Sequence, residues 1–152
     1  NELKIKNSNL IFVGDMEKSL EKILYPYLNE NIKIFKSVDQ NSLKNFYINS
    51  NVYVTCSIEE GLSMVQLQAM ACGLPVICTE NSGGTEIIDD GINGFILPIR
   101  DIEKLKEKLT YLYKNQDIAL SMGKNAAIKA RSFFSWENYG KNIIDFYASI
   151  LK

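Results

Sequence analysis

The chain has 152 residues, of which 46% are hydrophobic, a net charge of −1 and no histidine. This length and composition predict one globular domain, or a large part of one, with a substantial core. The near-neutral charge argues against bulk electrostatic binding to nucleic acid, and the absence of histidine excludes imidazole catalysis and histidine metal ligands within the chain. No apolar run is long enough to span a bilayer and no signal peptide opens the sequence. The three cysteines lack metal-binding spacing, so we expect buried thiols in a reducing, cytosolic compartment: Cys56, Cys72 and Cys78.

The first third of the sequence alternates between apolar runs and helical spacing. Residues 10–13 predict a buried strand, and leucines and isoleucines over 20–28 predict a helix that Pro26 shortens. A second strand is predicted at 32–34. A short helix over 43–47 then follows, with Asp39 or Asn41 as candidate caps, before a β-branched strand at 52–56.

The middle of the sequence contains a loop, a helix and two further strands. Ser63 and Gln66 have the spacing of a capping box, and the helix they open is predicted to run to about Cys72. Gly73 supplies a left-handed helix end and Pro75 starts the next strand. A short helical turn at 83–86 and a last strand at 95–97 complete this part.

Three helices are predicted beyond Pro98. Asp101 is the candidate cap of the first, and the second is expected over about 118–130. The third follows Ser135. Its apolar stripe predicts packing against the core or another domain: Trp136, Tyr139, Ile143, Tyr147 and Ile150.

Strands that alternate with helices predict a parallel sheet covered on both faces. Ligands of such sheets bind beyond the carboxyl ends of the strands, where we expect the loop 56–63. This loop combines carboxylates, a glycine and a helix N-terminus. That combination suits a phosphate-bearing, hydroxyl-rich ligand such as a nucleotide sugar.

Two stretches carry a recognisable family pattern. The first reads SIEEGLS over 57–63 and continues as AMACGLPVI over 69–77; the second reads EIIDDGINGFILP over 86–98. With Trp136 before a last helix, the sequence resembles the carboxyl-terminal, donor-binding domain of retaining GT-B glycosyltransferases, the group-one (family four) enzymes, over about residues 10–151. The resemblance implies a Rossmann-like, three-layer α/β sandwich with a parallel sheet and a helical carboxyl-terminal segment.

The resemblance also implies an activity: transfer of a hexose from a nucleotide-diphosphate sugar, a UDP-hexose, with retained anomeric configuration. The acceptor would be a glycan or a lipid-linked sugar in the synthesis of bacterial surface polysaccharide, lipopolysaccharide or glycolipid. Without a D-x-D run, no metal and no other cofactor is expected. The reaction would take place in the cytoplasm, with peripheral association of the full-length protein at the inner face of the membrane.

Site residues are carried over from the family pattern position by position. Glu60 would be the catalytic carboxylate that binds donor-sugar hydroxyls, and Gln68 would hold the ribose. The remaining donor-binding positions would contribute backbone groups. Those of Gly61, Leu62 and Ser63 would face the phosphates or the sugar, and those of Ser37 and Val38 would face the base.

This sequence departs from the family pattern at three places. Gln68 replaces a second glutamate, Lys36 replaces a usual glycine, and the stretch 83–86 is one residue shorter than usual. We interpret the whole of 1–152 as the donor-binding domain without its first strand. The basic residues that clamp the diphosphate and the acceptor-binding amino-terminal domain are then expected outside this chain, and the fragment is not expected to catalyse alone.

Several alternatives compete with these interpretations. Gln68 is as well explained as an ordinary helix residue, Gly83 and Gly84 as a plain turn, and Ser63 as a cap first and a ligand contact second. A degenerate nucleotide-sugar-binding or regulatory module without turnover is the alternative function. A nicotinamide dehydrogenase is disfavoured because no G-x-G-x-x-G follows the first strand, and a sugar-nucleotide epimerase of the same architecture is a weaker rival.

Overall fold

The computed structural model describes residues 5–151 and contains two compact units, one ending at Phe46 and the other beginning at Tyr47. In the amino-terminal unit, β1 (Leu10–Val13) pairs in parallel with β2 (Ile32–Phe35). Helix α1 (Lys18–Leu24) lies between them in sequence and continues as a 3₁₀ turn over Tyr25–Tyr27. The predicted effect of Pro26 is confirmed, since the α-helix ends before it.

Helix α2 (Gln40–Ile48) crosses the boundary between the two units along the chain. Of the two candidate caps, the structure selects Asp39. Its Oδ1 accepts hydrogen bonds from the backbone N–H groups of Asn41 and Ser42, at 2.9 and 3.0 Å. These bonds satisfy donors that the first turn of a helix leaves without partners.

The carboxyl-terminal unit is built on a parallel sheet of three strands in the order β3-β4-β5. The strands are β3 (Tyr53–Val54), β4 (Val76–Thr79) and β5 (Gly94–Leu97). All four residues of β4 are buried, as expected of a central parallel strand covered on both faces. Helices α3 (Met64–Ala71) and α4 (Gly84–Ile87) connect the strands, so the predicted α/β alternation is confirmed.

Three helices follow the last strand: α5 (Ile102–Lys114), α6 (Gln116–Phe133) and α7 (Trp136–Ile150). Asp101 and Ser135 cap α5 and α7, accepting from the N–H groups of Lys104 and Asn138. Helices α5 and α6 close one side of the core, which is formed by an apolar cluster: Ile77, Phe95, Leu97, Leu112, Ala119 and Met122. Within the part of the chain that the structure describes, no helix is long and apolar enough to cross a membrane.

Three expectations about these elements are wrong. The strand predicted over 52–56 is shorter, because the ladder to β4 ends once the Tyr53 and Thr55 N–H groups have donated to Pro75 and Ile77. Cys56 therefore leaves the sheet and is exposed, whereas Cys78 is buried as expected. The strand at 10–13 forms as β1 but is not buried, since Leu10, Ile11 and Phe12 are exposed.

The stripe of α7 does not pack into the core, because Trp136 is 78% exposed and no residue of 136–150 is buried. Packing of the stripe against another domain stays a prediction.

Candidate functional site

The acidic loop, defined here as residues 57–63, lies between β3 and α3 and is held by hydrogen bonds at Ser57 and at Glu60. Ser57 Oγ donates to Glu60 Oε2 at 2.9 Å, and Thr79 Oγ1 donates to the Ser57 carbonyl. The Glu60 N–H donates to the Asn81 carbonyl at 2.9 Å. The Glu60 side chain is exposed, so a carboxylate whose direction is set by a neighbouring hydroxyl faces solvent.

The backbone of the acidic loop lies against the turn that follows β4. Gly83 has φ +66°, and a Cβ placed there would lie 2.7 Å from the Gly61 carbonyl oxygen and 2.8 Å from Leu62 Cα. Only glycine permits both this conformation and this approach. The Gly83 turn is thus a support for the loop and not only a change of direction. At Gly61, a Cβ would meet no described atom within 4 Å, so this side of the loop is open.

The start of α3 differs from the predicted capping box. Ser63 occupies the N-cap position with extended backbone, but its side chain makes no capping hydrogen bond. Gln66 does not reach back to it. Its Nε2 donates instead to the Ser82 carbonyl at 2.9 Å. The box therefore does not satisfy the first-turn N–H groups of α3, although that of Gln66 donates to the Ser63 carbonyl at 3.1 Å. The positive end of a helix suits an anionic ligand.

Gln68 lies two residues after Gln66 in α3 and is half-buried. Its Oε1 accepts a hydrogen bond of 3.4 Å from the Tyr47 hydroxyl, and the Tyr47 ring packs edge-on against Tyr53, with centroids 6.0 Å apart. Burial raises the pKa of Tyr53, and the charge of Glu60 raises it further. The tyrosine pair therefore lies near both Glu60 and Gln68. Gln68 Nε2 still has two N–H groups to offer.

Tyr47 is expected to make the stability of the chain fall in alkaline solution. Burial, with smaller contributions from Tyr53 and Cys72, raises its pKa from 10.0 to about 12. Between these values the unfolded chain loses the phenol proton while the folded chain keeps it, so the free energy of unfolding decreases from pH 10 to pH 12. Urea unfolding at pH 8, 10 and 11.5 measures this decrease. Tyr47→Phe should reduce this decrease and leave the part that the raised pKa of Tyr53 contributes. An equal decrease in that variant would contradict the assignment.

Ser37 and Val38 belong to the amino-terminal unit and follow β2. Ser37 donates to Asp15 through its hydroxyl at 2.8 Å and through its backbone N–H at 3.4 Å. The hydroxyl bond first, and the backbone bond second, lower the pKa of Asp15. Val38 is partly exposed. The sequence did not single out Asp15, which follows the adjacent parallel strand and fixes the Ser37 backbone.

Further supporting residues were not found from the sequence. They contact the acidic loop, α3 or each other from segments distant in sequence, through side chains or backbone carbonyls, and no local spacing marks them: Tyr47, Tyr53, Thr79, Asn81 and Ser82. Three of them share one signal, which is that they lie at or just after the end of β4: Thr79, Asn81 and Ser82. No group of three metal-ligating carboxylates or thiols occurs within residues 5–151, and metal independence stays a prediction.

Comparison with known proteins identifies related sequences over most of the chain. The family model for glycosyl transferases group 1 matches residues 1–129. An uncharacterized glycosyltransferase of Methanocaldococcus jannaschii is 30% identical over 131 residues, which cover 86% of this chain and 37% of the relative. The capsular polysaccharide biosynthesis glycosyltransferase CapM of Staphylococcus aureus is 26% identical over 148 residues, covering 96% and 39%. The chain thus spans less than two fifths of the length of these curated relatives.

Solved structures show the same fold. Sucrose-phosphate synthase from Thermosynechococcus elongatus superposes with a TM-score of 0.87 at 23% identity, over 98% of this chain and 40% of the other. Anabaena HepE in complex with UDP-glucose superposes with a TM-score of 0.85 at 20% identity, over 95% and 42%. At these identities the likeness shows the fold, and it confirms the predicted α/β class with parallel strands.

Proposed function

This chain belongs to the glycosyl transferases group 1 family, and from that premise we propose that it binds a nucleotide-diphosphate sugar, a UDP-hexose, as the donor of the transfer reaction. The acidic loop is the observation that carries this proposal. It presents one oriented, exposed carboxylate, an open glycine and the start of a helix at the carboxyl end of a parallel strand. Solved structures of HepE with UDP and with UDP-glucose support this ligand class.

In this proposal Glu60 is the catalytic carboxylate and binds hydroxyls of the donor sugar. Ser57 holds one of its oxygens, Oε2, and leaves Oε1 free to accept. The backbone N–H groups of Gly61, Leu62 and Ser63, with the positive end of α3, face the diphosphate or the sugar. These groups act by positioning and by stabilising charge that develops on the leaving phosphate.

Gln68 holds the ribose in the same proposal. Because Tyr47 donates to Oε1, the Gln68 amide is fixed in the orientation that offers its N–H groups to a ribose oxygen. Ser37 and Val38 offer backbone groups to the base. The Asp15 carboxylate orders this segment through Ser37.

The overall reaction is proposed as retaining transfer to a glycan or a lipid-linked acceptor in surface-polysaccharide synthesis, in the cytoplasm or at its membrane face. A surface polysaccharide as the product is supported by the name of CapM, a capsular polysaccharide biosynthesis glycosyltransferase that aligns with 96% of this chain. The acceptor would be bound by a part of the protein outside this chain. The leaving phosphate oxygen would take the acceptor proton on the same face, without a metal.

A titration by ligand-observed NMR tests the donor proposal. UDP, GDP, ADP and UDP-glucose are added to the wild-type chain and to Gln68→Ala. We expect selective binding of UDP and UDP-glucose, weakened about ten-fold in Gln68→Ala because a ribose hydrogen bond to a polar partner is lost. Binding of UDP that survives unchanged in Gln68→Ala would show that the ribose is held elsewhere. Equal binding of all three diphosphates would contradict uridine selectivity.

A second candidate function is a nucleotide-sugar-binding module without turnover. It is favoured by one observation, the uncharged Gln68 where the family pattern has a carboxylate. Transfer assays on the protein that contains this chain separate the two. Tight binding without any sugar transfer or hydrolysis would support the binding module.

A further inference from the structure

Gln66 is a fully buried polar side chain that has no role in the proposed donor binding. Its relative exposure is 0%, and its Nε2 donates to the Ser82 carbonyl at 2.9 Å. Its Oε1 has no hydrogen-bond partner among the residues that the structure describes. A buried acceptor without a partner disfavours the folded state, whereas an apolar side chain of similar size would not. The presence of glutamine here therefore needs an explanation beyond core packing.

Hydrogen bonds connect Gln66 to the acidic loop through the turn 79–83 that follows β4. Gln66 holds the Ser82 carbonyl, and Ser82 Oγ donates to the Thr79 carbonyl at 2.7 Å. Thr79 Oγ1 in turn donates to the Ser57 carbonyl, and Ser57 Oγ to the Glu60 carboxylate. One end of the turn is thus held by α3, and its other end holds the acidic loop in place.

Two backbone contacts run parallel to this side-chain route. The Asn81 carbonyl accepts from the Glu60 N–H, and Gly83 lies against Gly61 and Leu62. Asn81 and Gly83 are the immediate neighbours of Ser82. The bond from Gln66 to Ser82 therefore holds the point of the turn from which both contacts to the acidic loop are made.

We propose that Gln66 is a positioning residue, which sets the direction of the Glu60 carboxylate through the turn 79–83 without touching the ligand. The functional consequence of this assignment rests on the proposed donor-binding function, because a misplaced Glu60 would weaken binding of the donor sugar. The positioning itself is a property of the unliganded chain and can be measured without any donor.

Amide hydrogen exchange followed by NMR tests the positioning. In Gln66→Met, which keeps side-chain length and removes the carboxamide, we expect the Glu60 amide to exchange about ten-fold faster by local opening. The melting temperature should shift by less than about 4 °C, since the loss of one bond is offset by removal of the unpaired acceptor. Gln66→Leu repeats the test should the methionine variant not fold.

Gln116→Met is the control for loss of a glutamine side chain that donates to backbone carbonyls, at an exposed position. Its Nε2 also donates to backbone carbonyls, those of Leu112 and Tyr113, but at the junction of α5 and α6. It should leave the Glu60 amide unchanged. A Glu60 exchange rate within two-fold of wild type in the Gln66 variants would overturn the proposal. So would a uniform acceleration of all amides with a large fall in melting temperature, because that pattern indicates a purely structural role.

A double-mutant cycle on UDP-glucose affinity tests the consequence. Gln66→Met should weaken binding about ten-fold in the wild type and less than about two-fold in Glu60→Ala, because neighbours that act as a unit are not additive. Full additivity would overturn action through Glu60. If the protein that contains this chain, with its diphosphate clamp, binds no nucleotide sugar, the donor-binding function fails, and the exchange experiment still decides the positioning role by itself.

Discussion

Gly123→Ala is expected to lower the free energy of unfolding by about 3 kcal/mol, the upper part of the range for overpacked cores. Gly123 is buried in α6, where that helix crosses α3. A Cβ at this position would lie 2.0 Å from the carbonyl oxygen of Gly73 and 3.3 Å from Pro75 Cδ. The closest atom belongs to the backbone and cannot rotate away. The two helices must therefore separate, which also disturbs the helix that carries Gln68.

Gly140→Ala is the matched control for this prediction. Gly140 also lies inside a helix, α7, but a Cβ there meets no described atom within 4 Å. Alanine should stabilise it by about 0.5–1 kcal/mol through helix propensity. Thermal unfolding should show a melting temperature roughly 6–12 °C lower for Gly123→Ala. If both variants behave alike, the close approach of α3 and α6 is not as the structure describes it.

The strands and their order along the chain were predictable because their signals are local. The bounds of β1 agree with the apolar run at 10–13, and β4 begins directly after Pro75. Gly73 adopts φ +85°, the left-handed conformation expected where a helix ends and a proline follows. Turn residues and continuous apolar runs act over a few positions, so one sequence is enough to place them.

The capping box shows where local reasoning failed. Ser63 and Gln66 have the right residue types and spacing, but the Gln66 carboxamide donates to Ser82, 16 residues away. A glutamine can satisfy either partner, and the choice depends on tertiary packing that spacing does not encode. The same reason explains why Tyr47 was missed. Nothing near it in sequence indicates a contact with Gln68, 21 residues away.

The apolar stripe of α7 separates what periodicity can and cannot predict. The spacing predicted the helix correctly, and Trp136 packs edge-on against Tyr139 within the stripe, with centroids 5.9 Å apart. The identity of the surface that covers an apolar face is not contained in its period. Exposure of large apolar side chains on this scale usually marks an interaction surface.

Glu60→Gln is expected to reduce kcat/KM for sugar transfer about 100-fold in the protein that contains this chain, a typical loss for one preorganised electrostatic contact. The substitution keeps side-chain length and leaves an oxygen that can still accept from Ser57 Oγ, so the loop should stay in place. What is lost is the negative charge. In water that charge is screened, but a bound donor would cover it and strengthen its hydrogen bonds to sugar hydroxyls.

Glu59→Gln is the control, because it removes an adjacent exposed carboxylate of the same loop. It should change kcat/KM less than two-fold. Affinities for UDP and UDP-glucose, measured by titration, then show which part of the donor Glu60 contacts. Glu60→Gln should weaken binding of UDP-glucose and leave the affinity for UDP within about two-fold of wild type. Equal weakening of both ligands would mean that Glu60 acts on the loop and not on the sugar. If the two variants are equally active, Glu60 is an ordinary solvated carboxylate. Both substitutions remove one negative charge from the same loop, and only a carboxylate that contacts the sugar should need that charge.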